Sequence, residues 1–138
     1  MTRFKDPSEN EERGYPRTMA MRGIRGAIQI EANSASDIAA GVRELISAIL
    51  ESNKITPDDV ISVFFTSTAD LTAAFPAAAC REMGFANVPL IGSVEVSVPG
   101  ALDRTIRVLL LVEIDQKPEQ ISHMYLRGAA ALRRDIAQ

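Results

Sequence analysis

Hydrophobic and polar residues alternate from Met21 onward. In the run Arg22-Gly23-Ile24-Arg25-Gly26-Ala27-Ile28-Gln29-Ile30-Glu31, Ile24, Ile28 and Ile30 share one face of an extended chain. Arg25, Gln29 and Glu31 share the other face, so the spacing predicts a strand. The glycines flanking Arg25 leave its backbone open to close approach. The period then changes to that of a helix at Ile38, Val42, Leu45, Ile46, Ile49 and Leu50, with Ser34 or Ser36 as the cap and Asp37 in the first turn. Thr56-Pro57-Asp58 marks a turn within Lys54–Asp59, and Val60–Thr66 reads as an inner strand. After a bend at Thr68–Leu71, a second helix is expected from Pro76, a good first-turn residue, through Met83, with Gly84 as its stop. Val88–Val98 reads as extended with a break near Gly92, and Pro99-Gly100 as a turn. Thr105–Glu113 is the strongest strand: Ile106, Val108, Leu110 and Val112 lie on one face, and Arg107, Leu109 and Leu111 on the other. A last helix is expected over Pro118–Arg134, with Ile121, Tyr125, Ala129 and Leu132 on one stripe.

The order β-α-β-α-β-β-β-α points to an α+β domain, a mixed sheet with its helices packed on one face. The other sheet face needs cover, yet it carries Arg25 and Arg107. A subunit interface around a polar ligand would reconcile the two. The domain is expected over residues 21–138. Residues 1–20, unpatterned and with balanced charge, read as a flexible tail or a partner-binding arm.

Composition narrows the chemistry. The chain has 138 residues, 46% hydrophobic and 24% charged, which suits one globular domain. A net charge of −3 without a basic block favours neither nucleic acid nor an anionic membrane. A single cysteine, Cys80, and a single histidine, His123, leave no disulfide framework and a poor basis for a zinc site or a Cys-His nucleophile. His123 reads as an exposed helix residue and Cys80 as a packing residue. No leader pattern and no apolar run of membrane length occur, so a cytoplasmic location is expected. Phosphate-loop, dinucleotide and nucleophile-elbow motifs are absent.

Arginines at structured positions are what remain. The basic residues are 12 Arg and 3 Lys, and Arg grips carboxylates through a rigid fork. Arg107 lies inside the most hydrophobic strand, where a charge is costly without a partner or ligand. Glu95 on the preceding segment could be that partner in a plain salt bridge, and Tyr125 could simply pack. Together with Arg25 they also suit a small dianion: forks for carboxylates, an acceptor for a hydroxyl and apolar walls. No nucleophile, metal or proton shuttle accompanies them, so a reaction here would rest on shape and electrostatics.

These residues carry a resemblance. Arg22–Ala27, Thr68–Leu71 with Phe75-Pro76-Ala77 and Arg81, Glu95–Val96 through Gly100 and Leu102 to Ile106-Arg107-Val108, and His123–Leu126 through Leu132-Arg133 occur in order and at matching spacing. From about Met21 to Asp135 the chain resembles the monofunctional chorismate mutases of the trimeric α/β class. The resemblance implies a homotrimer with a pseudo α/β barrel core, active sites between subunits, no cofactor, and conversion of chorismate to prephenate. By position it implies that Arg107 is the cation beside the breaking ether bond and that Glu95 accepts from the ring hydroxyl. Arg25 and Tyr125 would hold a carboxylate. Phe75 and Leu132 would wall the ring, Arg81 and Arg133 would sit at the mouth, and Ile91 and Gly92 would line the pocket. Ala78 and Gly92 stand where some relatives carry Lys and a larger residue such as Cys, which loosens ground-state contacts. Two other classes fit a trimer with an interface arginine: a non-catalytic binding protein for a small dicarboxylate, and an imine hydrolase, which leaves Glu95 and Tyr125 unexplained.

Overall fold

The structure, a computed structural model, describes residues 19–133. The expected tail therefore lies outside the described residues except for Met19 and Ala20, and so does Arg134 at the end of the expected last helix. Five strands form one mixed sheet: β1 (Ala20–Gln29), β2 (Val60–Ser67), β3 (Leu90–Val94), β4 (Thr105–Ile114) and β5 (Met124–Leu126). Their spatial order is β3-β2-β4-β1-β5. β4 runs antiparallel to both β1 and β2, while β3 is parallel to β2 and β5 is parallel to β1. Two α-helices, α1 (Ala35–Asn53) and α2 (Pro76–Arg81), make the crossovers after β1 and β2.

Local chemistry sets the helix ends. The Ser34 hydroxyl caps α1 by accepting from the Asp37 amide at 3.1 Å, and Lys54 closes it in the left-handed region at φ 54°. The helix ends at Asn53, where the turn expected from Lys54 begins. Pro76 opens α2 as expected, but this helix stops at Arg81. Glu82 and Met83 belong to the turn that Gly84 completes at φ +93°.

α1 lays Ile38, Val42, Leu45, Ile46 and Ile49 against Ile24 and Ile28 of β1 and Ile106, Leu110 and Val112 of β4, all fully buried or nearly so. Removing one such side chain to alanine costs about 2–5 kcal/mol. The opposite sheet face is different. By the two-residue alternation it carries Met21, Arg25, Phe64, Ile91, Arg107 and Leu109. Met21, Phe64, Ile91 and Leu109 are 57%, 42%, 61% and 47% exposed. Among the described residues no α-helix packs on this face, and none is long and apolar enough to cross a membrane.

Two expectations need correction. β3 passes through Gly92 without a break, paired residue for residue with β2, and ends at Val94. The last helix does not form. Pro118–Gln120 is a single 3-10 turn, Met124–Leu126 is strand β5, and Arg127–Leu132 is a second 3-10 segment entered through Arg127 at φ 53°. The reason is tertiary. β1 would otherwise present unpaired backbone at the sheet edge, and two side chains hold the incoming segment extended. Asn53 donates to Ser122 O at 3.0 Å and accepts the Ser122 amide at 2.8 Å. Gln116 donates to Asn53 O at 2.9 Å. Tyr125, Ala129 and Leu132 still pack together, around Ala27, but Ile121 joins the main core on the other side of the sheet.

Asn53→Ala would leave both polar groups of the Ser122 backbone unpaired. A loss of about 2 kcal/mol is expected, read as a lower denaturation midpoint with faster amide exchange at Ser122. An unchanged midpoint would show that Asn53 does not hold this segment.

Candidate active site

Strand register brings the polar residues of the open face together. Ser93, Thr66, Arg107, Ala27 and Tyr125 are successive partners across β3, β2, β4, β1 and β5 and form one row. Partners in a row point to the same face. Arg25, two residues before Ala27, lies on that face opposite Leu109. Ala27, fully buried in the middle of the row, packs with Tyr125 and Ala129.

Glu95 follows the end of β3, and its amide donates to Ser67 O at 2.8 Å, prolonging the ladder by one rung. Its side chain then turns onto the row. Oε2 accepts the Thr66 hydroxyl at 2.8 Å and lies 3.5 Å from Arg107 Nε. The Thr66 hydrogen bond, joined by the Val96 amide and the Arg107 charge, holds the Glu95 carboxyl below the usual carboxylate range against a counteracting cost of partial burial. Glu95 is thus ionised at neutral pH. The salt bridge considered from sequence exists, but both side chains are partly exposed and the contact is long. Such pairs are weak, so the contact does not lock the guanidinium away from a ligand.

The start of β4 is fastened separately. The Thr68 hydroxyl accepts the Thr105 amide at 3.0 Å and donates to Asp70. Asp70 Oδ2 also accepts the Arg104 amide at 2.9 Å. Arg104, in the left-handed region at φ 44°, exchanges bonds with Ile30: its carbonyl accepts the Ile30 amide at 2.6 Å and its Nε donates to Ile30 O at 3.0 Å. Arg107 therefore projects from a strand whose first residues are tied to both β1 and β2.

On the C-terminal side, Tyr125 is 4% exposed and packs with Ala27, Ala129, Leu102 and Leu132. Leu132 lies in the 3-10 segment Arg127–Leu132 and Arg133 follows it. This segment reaches the sheet because Gly128 passes over Gln29, where an added Cβ would clash with Gln29 Oε1.

The remaining sequence candidates lie elsewhere. Gly92 and Phe75 line a cavity of about 570 Å³ with Phe65, Leu71 and Pro76, at the β3 edge of the sheet. Gly92 pairs with the buried Phe65 and so belongs to the opposite face from Arg107. Phe75 is 83% exposed. Arg81 ends α2, exposed and outside the cavity lining. Ile91 is on the open face, but in the row of Phe64, Leu109 and Arg25. One chain therefore assembles Arg25, Glu95, Arg107, Tyr125, Leu132 and Arg133 on one side and presents Phe75, Gly92 and Arg81 at a different edge.

Comparison with known proteins decides the family. The family model described as chorismate mutase type I matches residues 21–136. The chain belongs to the type I chorismate mutases. It is 46% identical over 117 residues to the chorismate mutase AroH of Thermus thermophilus, covering 84% of this chain and 96% of that protein. It is 38% identical over 120 residues to the chorismate mutase AroH of Bacillus subtilis, covering 86% and 94%. Among solved structures, a chorismate mutase from Clostridium thermocellum superposes with a TM-score of 0.78 at 42% identity, covering 80% of this chain and 98% of that one. These findings support an isomerase with the mixed α+β fold, and they lend nothing to a non-catalytic binding protein or an imine hydrolase.

Thr66 was not singled out from sequence. Alternation puts it on the face of Phe64, but only the β2–β4 register reveals that it reaches Glu95. His123 was misread as an exposed helix residue. It is half-buried at the start of β5 and accepts a hydrogen bond from the Arg25 amide.

Thr66→Val keeps the shape and the β-propensity but removes the Glu95 partner. Mutase kcat/KM near pH 7.5 is expected to fall roughly fivefold, about 1 kcal/mol, with little loss of thermal stability. Thr66 holds the Glu95 titration below the usual 4.5. In the variant, activity that depends on Glu95 should therefore fail at a higher pH than in the wild type. Unchanged kinetics would show that Thr66 does not support Glu95.

Proposed function

We propose that the chain, as a cytoplasmic homotrimer, converts chorismate to prephenate on the route to phenylalanine and tyrosine. In this rearrangement the ether C–O bond breaks as a new C–C bond forms within one molecule. No atom or proton is gained or lost, so no cofactor, nucleophile or acid–base pair is required. The protein's tasks are to hold the dianion in a folded, chair-like shape and to stabilise the negative charge that grows on the ether oxygen.

The observation that carries this reading is the row of Thr66, Arg107, Ala27 and Tyr125, with Glu95 and Arg25 beside it on the open face. Arg107 is the fixed cation for the ether oxygen. Because that charge is larger in the transition state than in bound chorismate, the contact favours turnover over ground-state binding. Glu95, ionised and steadied by Thr66, accepts from the ring hydroxyl. Arg25 and Tyr125 take a carboxylate, and Leu132 closes against the ring with Arg133 above it.

Two features of one chain support the trimer. The open face presents Phe64, Ile91 and Leu109 to solvent, a patch that a neighbouring subunit would bury. Phe75, Gly92 and Arg81 stand at another edge of the sheet. In the trimer this edge of one subunit faces the Arg107 row of the next and supplies the second wall of the pocket.

Purified protein is expected to accelerate prephenate formation from chorismate far above buffer and to elute at the mass of three chains. Absence of turnover in a folded trimer would end this reading. Arg107→Lys keeps the charge but loses the fork and its reach; kcat is expected to fall by about two orders of magnitude or more with the trimer intact. Near-normal turnover would place the catalytic charge elsewhere. For Arg133→Ala the expected defect is a raised KM with kcat little changed, and a fall in kcat alone would contradict a role at the mouth.

A further inference from the structure

His123 is a half-buried titratable group beside the site that the chemistry above does not use. β5 is short: its described pairing with β1 covers Gly26–Met124, Ala27–Tyr125 and Ile28–Leu126. One residue earlier, the Arg25 amide points toward β5, and the His123 imidazole takes it, Nδ1 accepting at 2.9 Å. A side chain thus supplies a fourth tie to a three-pair ladder. It does so at the backbone of the residue proposed to hold the substrate carboxylate, two positions before Tyr125, which holds the same group.

We propose that His123 is a positioning residue: as the neutral imidazole, unprotonated at Nδ1, it locks Arg25 and Tyr125 into one geometry, and protonation of Nδ1 releases them. The inference rests on the mutase reading of the site and assigns a device that sets substrate affinity.

An imidazole whose Nδ1 accepts a hydrogen bond must carry its single proton on Nε2. A second proton can only go to Nδ1, which would turn the acceptor into a donor facing the Arg25 N–H. The surroundings hold the neutral form in place. Partial burial, then the Arg25 charge from β1 and the Arg133 charge from the C-terminal segment, lower the imidazole's tendency to protonate below its usual 6.5. The neighbouring Ser122 is held by the uncharged Asn53. The sign follows directly. The lock is complete above pH 6.5 and is lost as pH falls below that value toward the depressed value of the folded protein. Glu95, held below its usual 4.5, remains ionised down to pH 5, so over pH 7.5 to 5 the effect should fall on KM rather than kcat.

The test uses His123→Asn and His123→Ala in the full chain. The Asn carboxamide oxygen sits where Nδ1 does and accepts without titrating; Ala does neither. For chorismate, wild-type KM should rise between pH 7.5 and 5 with kcat nearly constant. His123→Asn should keep a low KM that does not change over that range, and His123→Ala should show a KM raised about tenfold throughout. Arg25 amide exchange should be slow in the wild type and His123→Asn, and fast in His123→Ala. A pH profile shared by wild type and His123→Asn, or equal KM values for Asn and Ala, would overturn the proposal. If His123→Ala fails to fold, the comparison of wild type with His123→Asn decides alone. Amide exchange needs no turnover, so it separates the two possible failures. An inactive wild type with a protected Arg25 amide contradicts the mutase reading; an active wild type with an unprotected amide contradicts this one.

Discussion

The two-residue period of β4 is the constraint on which the site depends. With Ile106, Val108, Leu110 and Val112 committed to the core beneath α1, Arg107, Leu109 and Glu113 must face the other way. Moving the strand by one residue would bury a guanidinium against α1 and expose four aliphatic side chains, which the core energetics forbid. The same packing that stabilises the fold therefore fixes the direction of the Arg107 side chain. The apolar residues forced out beside it, Phe64, Ile91 and Leu109, make a face that is too hydrophobic to remain open and too charged to serve as an ordinary core. A subunit interface built around a dianion, as proposed, would satisfy both demands.

Fixing a charge also means fixing its neighbours. Glu95 leaves the sheet edge with its amide still on the ladder and its carboxylate held by Thr66. Thr68, Asp70 and Arg104 tie the beginning of β4 to β2 and β1, with one residue in the left-handed region at the tie. These contacts are remote from a reacting bond, yet they determine how little the donors must move as charge develops. Preorganised donors need no reorganisation at the moment of reaction, which makes them more effective than mobile ones. Cys80 has no such part. It is buried in α2, burial pushes its thiol up to about 12 despite Arg81 beside it, and it acts as a packing residue.

Much of this was legible along the chain, for identifiable reasons. β1, α1 and β4 each carry a clean period over seven or more residues, β2 is a β-rich run with a register shift near its start, and Ser34, Pro76 and Gly84 punctuate the chain as their chemistry requires. Arg107 stood out because it breaks an apolar strand. The C-terminal region did not read correctly because its spacing fits either structure: Tyr125, Ala129 and Leu132 share a helical stripe, and they also meet when a short strand is followed by a 3-10 turn. The choice was made by partners far away in sequence, Asn53 at Ser122 and the unpaired edge of β1. Thr66 and His123 escaped for the same reason. Their roles are set by cross-strand register, which is absent from any local pattern.

The central claim is that Arg107 stabilises charge present in the transition state more than in the substrate. Its most direct test compares binding of chorismate with binding of a rigid bicyclic ether dicarboxylate shaped like the folded transition state, in the wild type and in Arg107→Ala, by calorimetry. Selective stabilisation requires that the wild type bind the rigid ether more tightly than chorismate and that Arg107→Ala lose most of that advantage, about 3 kcal/mol, while weakening chorismate far less. An equal loss for both ligands would show that Arg107 merely binds the dianion and that the acceleration arises elsewhere.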